Sequence, residues 1–276
     1  MRISPGVWRL LRLLVLAYLG VTVAALLFEE KLIYFPYRKI ELTPADLGLR
    51  FEEARFVSED GVRLHGWWLP AEGGRFAALV CHGNAGNISH RLDRALLMQS
   101  KLHTGVFLFD YRGYGRSEGS PDEQGTYRDG RAAYRYMTDH LRVAPDGIIL
   151  FGESLGAAVA VQLALEFPAR ALILESPFTS IPDMARSHYP FLPVGRWLRN
   201  RYDNVTKIPD VRVPVLILHG TRDRLVPFEQ GQQLFQASPE PKHFFAIPGA
   251  GHNDTFLTGG APYWEAWKAF LASLED

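Results

Sequence analysis

The chain has 276 residues, and its 30 lysines and arginines are balanced by 30 aspartates and glutamates. That length suits one large domain with a short appendage, and the charge balance excludes the basic footprint that binding nucleic acid or an acidic polymer requires. A single cysteine, Cys81, excludes an intrachain disulfide and a cysteine-based metal site.

The first informative stretch is the amino terminus. Residues 13–28 carry no charge and follow Arg2, Arg9 and Arg12, so residues 1–28 read as a membrane anchor. As a helix the sixteen uncharged residues span about 24 Å, and snorkelling of Arg9 and Arg12, with Trp8 at the interface, brings them closer to the bilayer core thickness. The alternative is a cleavable signal segment, because Val23-Ala24-Ala25 offers small residues for cleavage; the apolar Leu26, Leu27 and Phe28 that follow favour an anchor. The arginines predict an extracytoplasmic catalytic domain, or a secreted or periplasmic one after cleavage.

Residues 29–44 form a juxtamembrane stretch in which Leu32-Ile33-Tyr34-Phe35-Pro36 is too apolar for a free linker and should pack on the domain. A hairpin is expected from strands 54–58 and 62–69 around Glu59-Asp60-Gly61. Further strands are expected at 76–81, 105–110, 147–151, 171–175, 215–218 and 243–247. Several are continuous apolar runs, the pattern of parallel strands covered on both faces; Cys81 falls in one of them and reads as a buried strand residue. Helical patterns lie between, at 89–101, 123–140, 155–167, 227–236 and 263–273, and the alternation predicts an α/β fold with helices on both faces of a mostly parallel sheet. The interval 176–210 breaks this rhythm with five prolines and reads as a short lid-like insertion within the catalytic domain, residues 29–276. Its Phe178, Met184, Tyr189, Phe191 and Trp197 are the candidate substrate-pocket residues.

The chemistry centres on Gly152-Glu153-Ser154-Leu155-Gly156, between the apolar run Ile148-Ile149-Leu150-Phe151 and a helix of small residues. Glycine, any residue, serine, any residue, glycine on a strand-turn-helix is the signature of a nucleophile elbow. Acyl transfer by Ser154 needs a base, a carboxylate to orient the base, and N–H donors for the oxyanion. His252 in Gly251-His252-Asn253-Asp254 and Asp223 in His219-Gly220-Thr221-Arg222-Asp223 follow predicted strands in the required order of serine, acid, histidine. Glu153, Asp110, Glu175 and Asp254 are alternative orienters. The oxyanion donors are expected to be the main-chain N–H groups of Leu155 and Asn84, with Ala85 as a substitute for Asn84. His82 reads as a structural histidine bonded to loop backbone. His65, His103 and His243 lack metal-ligand spacing, and no metal or organic cofactor is expected. The sequons at Asn87, Asn204 and Asn253 read as accidental.

These residues resemble the α/β-hydrolase superfamily, within it the single-pass membrane-anchored members near the serine aminopeptidase and monoglyceride-lipase-like branch. The resemblance rests on Leu32 to Pro36, His82-Gly83-Asn84-Ala85-Gly86-Asn87, Asp110-Tyr111-Arg112-Gly113-Tyr114-Gly115, the Ser154 elbow and the loops of Asp223 and His252. It implies a Ser154, Asp223, His252 triad and esterase or thioesterase activity on a small-molecule or lipid-like acyl substrate. A serine peptidase on the same triad is the alternative, with Glu175 and Asp183 as the acids that would hold a peptide amino terminus; a non-catalytic membrane-tethered scaffold is the third reading.

Overall fold

The structure, a computed structural model, describes residues 4–274; Arg2 lies outside them. Eight strands build the main sheet: β1 (Glu52–Val57), β2 (Arg63–Leu69), β3 (Ala77–Cys81), β4 (Gly105–Asp110), β5 (Ile148–Glu153), β6 (Ala171–Glu175), β7 (Val215–Gly220) and β8 (Lys242–Ile247). They lie in the order β8-β7-β6-β5-β3-β4-β2-β1. Only β2 runs antiparallel to its neighbours; every other pairing is parallel.

The apolar runs follow from burial on both faces. In β3, Ala77, Leu79 and Cys81 enter one core while Ala78 and Val80 enter the other, and β5, β6 and β7 divide their residues in the same alternating way. The first core is closed by α3 (Glu123–Arg135) and α4 (Leu155–Glu166), the second by α2 (Leu92–Leu102) and α7 (Thr255–Ala272), with α6 (Phe228–Ala237) also on the first face. Two expected boundaries move. The pattern read as helix to residue 140 leaves α-geometry after Arg135 and ends as a π-turn, Tyr136–His140. The last helix begins at Thr255 rather than near Tyr263, because a kink at Gly260, with φ of 52°, joins two helical pieces and Gly259-Gly260 and Pro262 hide the first from its pattern.

At the amino terminus, α1 (Pro5–Leu27) starts with Pro5 at its first position and Ser4 as N-cap. It is 23 residues long with a mean hydropathy of 2.3 over its most apolar window, of which 6% is buried. A helix of about 35 Å that carries no charge after Arg12 and is left uncovered by the domain has the length and composition to cross a bilayer.

The segment after α1 is built into the domain. Glu29, 2% exposed, accepts hydrogen bonds from the main-chain N–H groups of Arg199 and Asn200 (3.1 and 3.0 Å) and from Asn200 Nδ2 (2.6 Å). Tyr34 donates to Asn200 Oδ1 at 2.8 Å, and Phe35–Pro36 pairs in parallel with Ala85–Gly86. The insertion leaves β6 at its carboxyl end, forms α5 (Ile181–His188), and returns through the short helix Asn204–Lys207.

Candidate active site

Ser154 sits at the junction of β5 and α4 with φ of 53° and ψ of −114°. A non-glycine residue there carries strain of about 1–3 kcal/mol, held by bonds from Ser154 N–H to the Glu175 carbonyl (2.9 Å) and from Ala157 N–H to the Ser154 carbonyl (3.0 Å). The flanking glycines are steric requirements. A Cβ on Gly152 would stand 2.5 Å from Ala157 Cα, and one on Gly156 would run into the carbonyls of Cys81 and His82. The chain can turn this sharply only where both side chains are missing.

His252 and Asp223 reach Ser154 from the loops after β8 and β7. His252 Nε2 lies 3.0 Å from Ser154 Oγ, and His252 Nδ1 lies 2.7 Å from Asp223 Oδ2. A carboxylate facing Nδ1 places the imidazole proton there, so Nε2 is left as the acceptor for the serine hydroxyl. The other carboxylate oxygen, Oδ1, accepts from the main-chain N–H groups of Leu225 and Val226 at 2.9 and 2.8 Å. Burial pushes the Asp223 carboxyl up, but His219, His252 and the Val226 N–H outweigh it and hold it well below the usual carboxylate range.

His219, assigned no role from sequence, also faces Asp223. Its Nε2 lies 3.4 Å from Asp223 Oδ2 and 3.1 Å from the Val226 carbonyl. Two acceptors put the proton on Nε2, and Nδ1 is bare, packed where a Cβ on Gly231 would meet it. The signal was its position, the last ring in an apolar strand four residues before the acid.

The other candidate acids are engaged elsewhere. Asp254 accepts from Gly251 N–H at 2.6 Å and shapes the histidine loop, while Asp110 accepts from Ile88 N–H at 3.0 Å. Glu175 is fully buried and takes bonds from Arg94 (2.7 Å), Thr255 (2.7 Å) and Tyr263 (2.5 Å). Asp183 accepts from Thr179 and Ser180 at the start of α5 and pairs with Arg186. Glu175 and Asp183 therefore do not form the acidic cluster a peptide amino terminus would need. Glu153 faces Arg91 at 3.3 Å and Arg94 at 3.7 Å. Burial works against its charge, and the two guanidiniums win, keeping the carboxyl low.

In the loop after β3, His82 Nδ1 donates to the Gly83 carbonyl at 2.7 Å, and the ring packs 4.5 Å from Tyr111. Burial drives its pKa down to about 4 against the pull of Asp110. Its ring hydrogen bond goes to loop backbone and not to Ser154, in keeping with a structural role. Asn87 and Asn204 are fully buried, whereas Asn253 is exposed.

Ser154, Leu155 and Asn84 share one apolar cavity of about 440 Å³. No hydrogen bond holds the main-chain N–H of Leu155 or Asn84 among the described residues. Asn84 is itself fixed: its side chain donates to the Ile33 carbonyl (2.8 Å), and its carbonyl accepts from Phe35 N–H (2.9 Å) and Tyr114 OH (2.8 Å). Of the expected pocket residues, Phe178, Met184 and Tyr189 line the cavity. Phe191 and Trp197 do not. They are 63% and 58% exposed, because the irregular run after α5 turns them outward while Leu192, Val194 and Leu198 face in. Further lining, which sequence reasoning missed, comes from Ala25, Glu29, Leu32, Ile33 and Phe35. Among the described residues no cluster of His, Cys, Asp and Glu is arranged to hold a metal ion.

A serine–histidine–aspartate relay on loop tips at the carboxyl edge of a mostly parallel, eight-stranded sheet defines the α/β-hydrolase class of protein. The profile described as alpha/beta hydrolase fold matches residues 79–205. The alpha/beta hydrolase domain-containing protein WAV2 of Arabidopsis thaliana is 37% identical over 284 residues, covering 91% of each chain. Protein bem46 of Schizosaccharomyces pombe is 34% identical over 288 residues, covering 98% of this chain and 96% of its own. An uncharacterized Mycobacterium tuberculosis protein is 41% identical over 245 residues, covering 88% and 87%. In fold, the chain is similar to an esterase from Pyrococcus furiosus, with a TM-score of 0.73 at 20% identity over 88% of this chain and 98% of that one. The chain belongs to the α/β-hydrolase superfamily.

Proposed function

We propose that the protein is a membrane-anchored serine hydrolase that cleaves carboxylic ester or thioester bonds through an acyl-enzyme. The observation that carries this reading is the unbroken relay from Ser154 through His252 to Asp223, opening into an apolar cavity.

Ser154 Oγ attacks the ester carbonyl while its proton passes to His252 Nε2. The carbonyl oxygen becomes an oxyanion, taken by the N–H groups of Leu155 and Asn84. As the intermediate collapses, the bond to the leaving alcohol or thiol breaks and His252 returns the proton to it. Water then attacks the acyl-serine by the same route, releasing the acid and restoring Ser154. Asp223 stays ionised throughout, which its low-lying pKa favours. Activity should fall on the acid side, where a protonated base cannot accept the serine proton.

Glu175 and Asp183, the acids expected to hold a peptide amino terminus, do not line the cavity, which favours esters and thioesters over peptides. The anchor reading places α1 across a membrane with the domain on the extracytoplasmic side, from Arg9 and Arg12 before its apolar run. The test is a fluorophosphonate probe on full-length protein beside Ser154→Ala, followed by a panel of esters, thioesters and aminoacyl amides. Covalent labelling confined to the parent, with ester or thioester turnover, is the expected result. A folded parent that is neither labelled nor active on any of the panel would leave the scaffold reading standing.

A further inference from the structure

The cavity at Ser154 is enclosed from two sides by elements far apart in sequence. One wall is the end of α1 and the residues after it, including Ala25, Leu32 and Phe35; the other is the insertion, including Met184, Tyr189 and Leu192. The anchor therefore does more than tether the domain, because the chain that would leave the bilayer is itself the pocket.

The insertion also reaches along the helix rather than stopping above it. Tyr18 OH donates to the Phe191 carbonyl at 2.6 Å. Tyr18 lies nine residues before the end of α1, about 13 Å back along the axis. If α1 crosses a bilayer, the tip carrying Phe191 lies beside its outer turns, at the depth of the interface or below it. The exposure of the tip fits that position: Tyr189, Phe191 and Trp197 are 50%, 63% and 58% exposed, next to a helix whose own apolar side chains are uncovered. Tyrosine and tryptophan, with an apolar ring and a polar edge, are favoured where lipid meets water, and the wholly apolar Phe191 suits the lipid side of that boundary. Ala25 of α1 lines the cavity at Ser154, and Tyr18, about two turns earlier on the same helix, holds the tip of the insertion.

The junction is hydrogen-bonded on both sides where it meets Asn84. Glu29 fastens the helix end to Arg199 and Asn200 at the close of the insertion, and the Ile33 carbonyl and Phe35 N–H hold both ends of the Asn84 unit.

Resting on the serine-esterase reading, we propose that α1 and the insertion form a lateral port, through which the acyl chain of a membrane-dissolved ester enters from the lipid layer and lies between helix and tip with its carbonyl at Ser154. The apolar walls suit a hydrocarbon chain, and a chain passing directly from lipid to cavity avoids exposing its methylenes to water.

The test uses the full-length protein in phosphatidylcholine vesicles, with a long-chain ester dissolved in the bilayer (4-methylumbelliferyl palmitate) and a short ester offered from water (4-nitrophenyl butyrate). Ala25→Trp fills the port from the helix side. Trp197→Asp puts a charge on the tip, outside the cavity, and as an exposed change it guards against misfolding of the first variant. The expected result is a fall of at least tenfold in the palmitate-to-butyrate rate ratio for both variants. An unchanged ratio in either, or equal losses on both esters, overturns the port. A parent labelled at Ser154 by fluorophosphonate whose ratio resists both variants sinks the port alone; a parent with no labelling and no turnover sinks the esterase reading and the port together.

Discussion

Replacing Asp223 by asparagine is the most discriminating single change, because the surroundings dictate how the new side chain must sit. Asp223 Oδ1 accepts from the N–H groups of Leu225 and Val226, so an amide oxygen is required at that end. The amide NH₂ is thereby forced to the Oδ2 position, 2.7 Å from His252 Nδ1. A donor there demands a bare Nδ1, which moves the imidazole proton to Nε2, 3.0 Å from Ser154 Oγ, where it can no longer accept the serine proton. The same NH₂ also faces His219 Nε2, another donor, across 3.4 Å. Loss of the correct tautomer costs about 10⁴ in kcat, or about 5 kcal/mol of barrier, while the Leu225 and Val226 bonds survive and the fold with them. Stopped-flow or steady-state rates on a 4-nitrophenyl ester measure the first, and thermal melts the second. A kcat within tenfold of the parent would refute the assignment of Asp223 as the orienting acid.

Further outcomes follow from the same geometry. Gly156→Ala drives a Cβ into the Cys81 and His82 carbonyls, which should cost about 3 kcal/mol and lower Tm by roughly 6–12 °C; an unchanged melt contradicts the tight elbow. His82 should make the protein acid-sensitive. Its folded pKa of about 4 lies below the unfolded imidazole value of about 6.5, so the unfolded chain takes the proton first and stability falls as pH drops through that window. The loss reaches about 3 kcal/mol, and urea melts at pH 7 and 4.5 that agree would rule it out. Burial pushes the Cys81 thiol up to about 12, so iodoacetamide at pH 8 should leave it intact until the protein is unfolded; rapid alkylation of native protein, read by mass, contradicts its burial.

The residues that come together at Ser154 were legible because each sits directly after an apolar strand, and strand ends in a parallel sheet converge on one edge. The central strands β3 to β7 were legible because both their faces are buried. What escaped was anything decided between distant segments. The pairings of Glu29 and Tyr34 with Asn200 join positions more than 160 apart, and no local pattern announces them. Phe191 and Trp197 looked like pocket residues by composition, yet an irregular loop has no period to tell inward from outward, and Leu192, Val194 and Leu198 took the inner places. The first turns of α7 were hidden by Gly259, Gly260 and Pro262, which read as a break and act as a kink.

The central claim is that Ser154 is an activated nucleophile. Intact-mass analysis of the full-length protein after brief exposure to a fluorophosphonate, followed by peptide mapping, tests it most directly. The account predicts one adduct, on Ser154, absent in Ser154→Ala and slowed at least a hundredfold in His252→Ala. An adduct elsewhere, or labelling of Ser154 that is indifferent to His252, would contradict it.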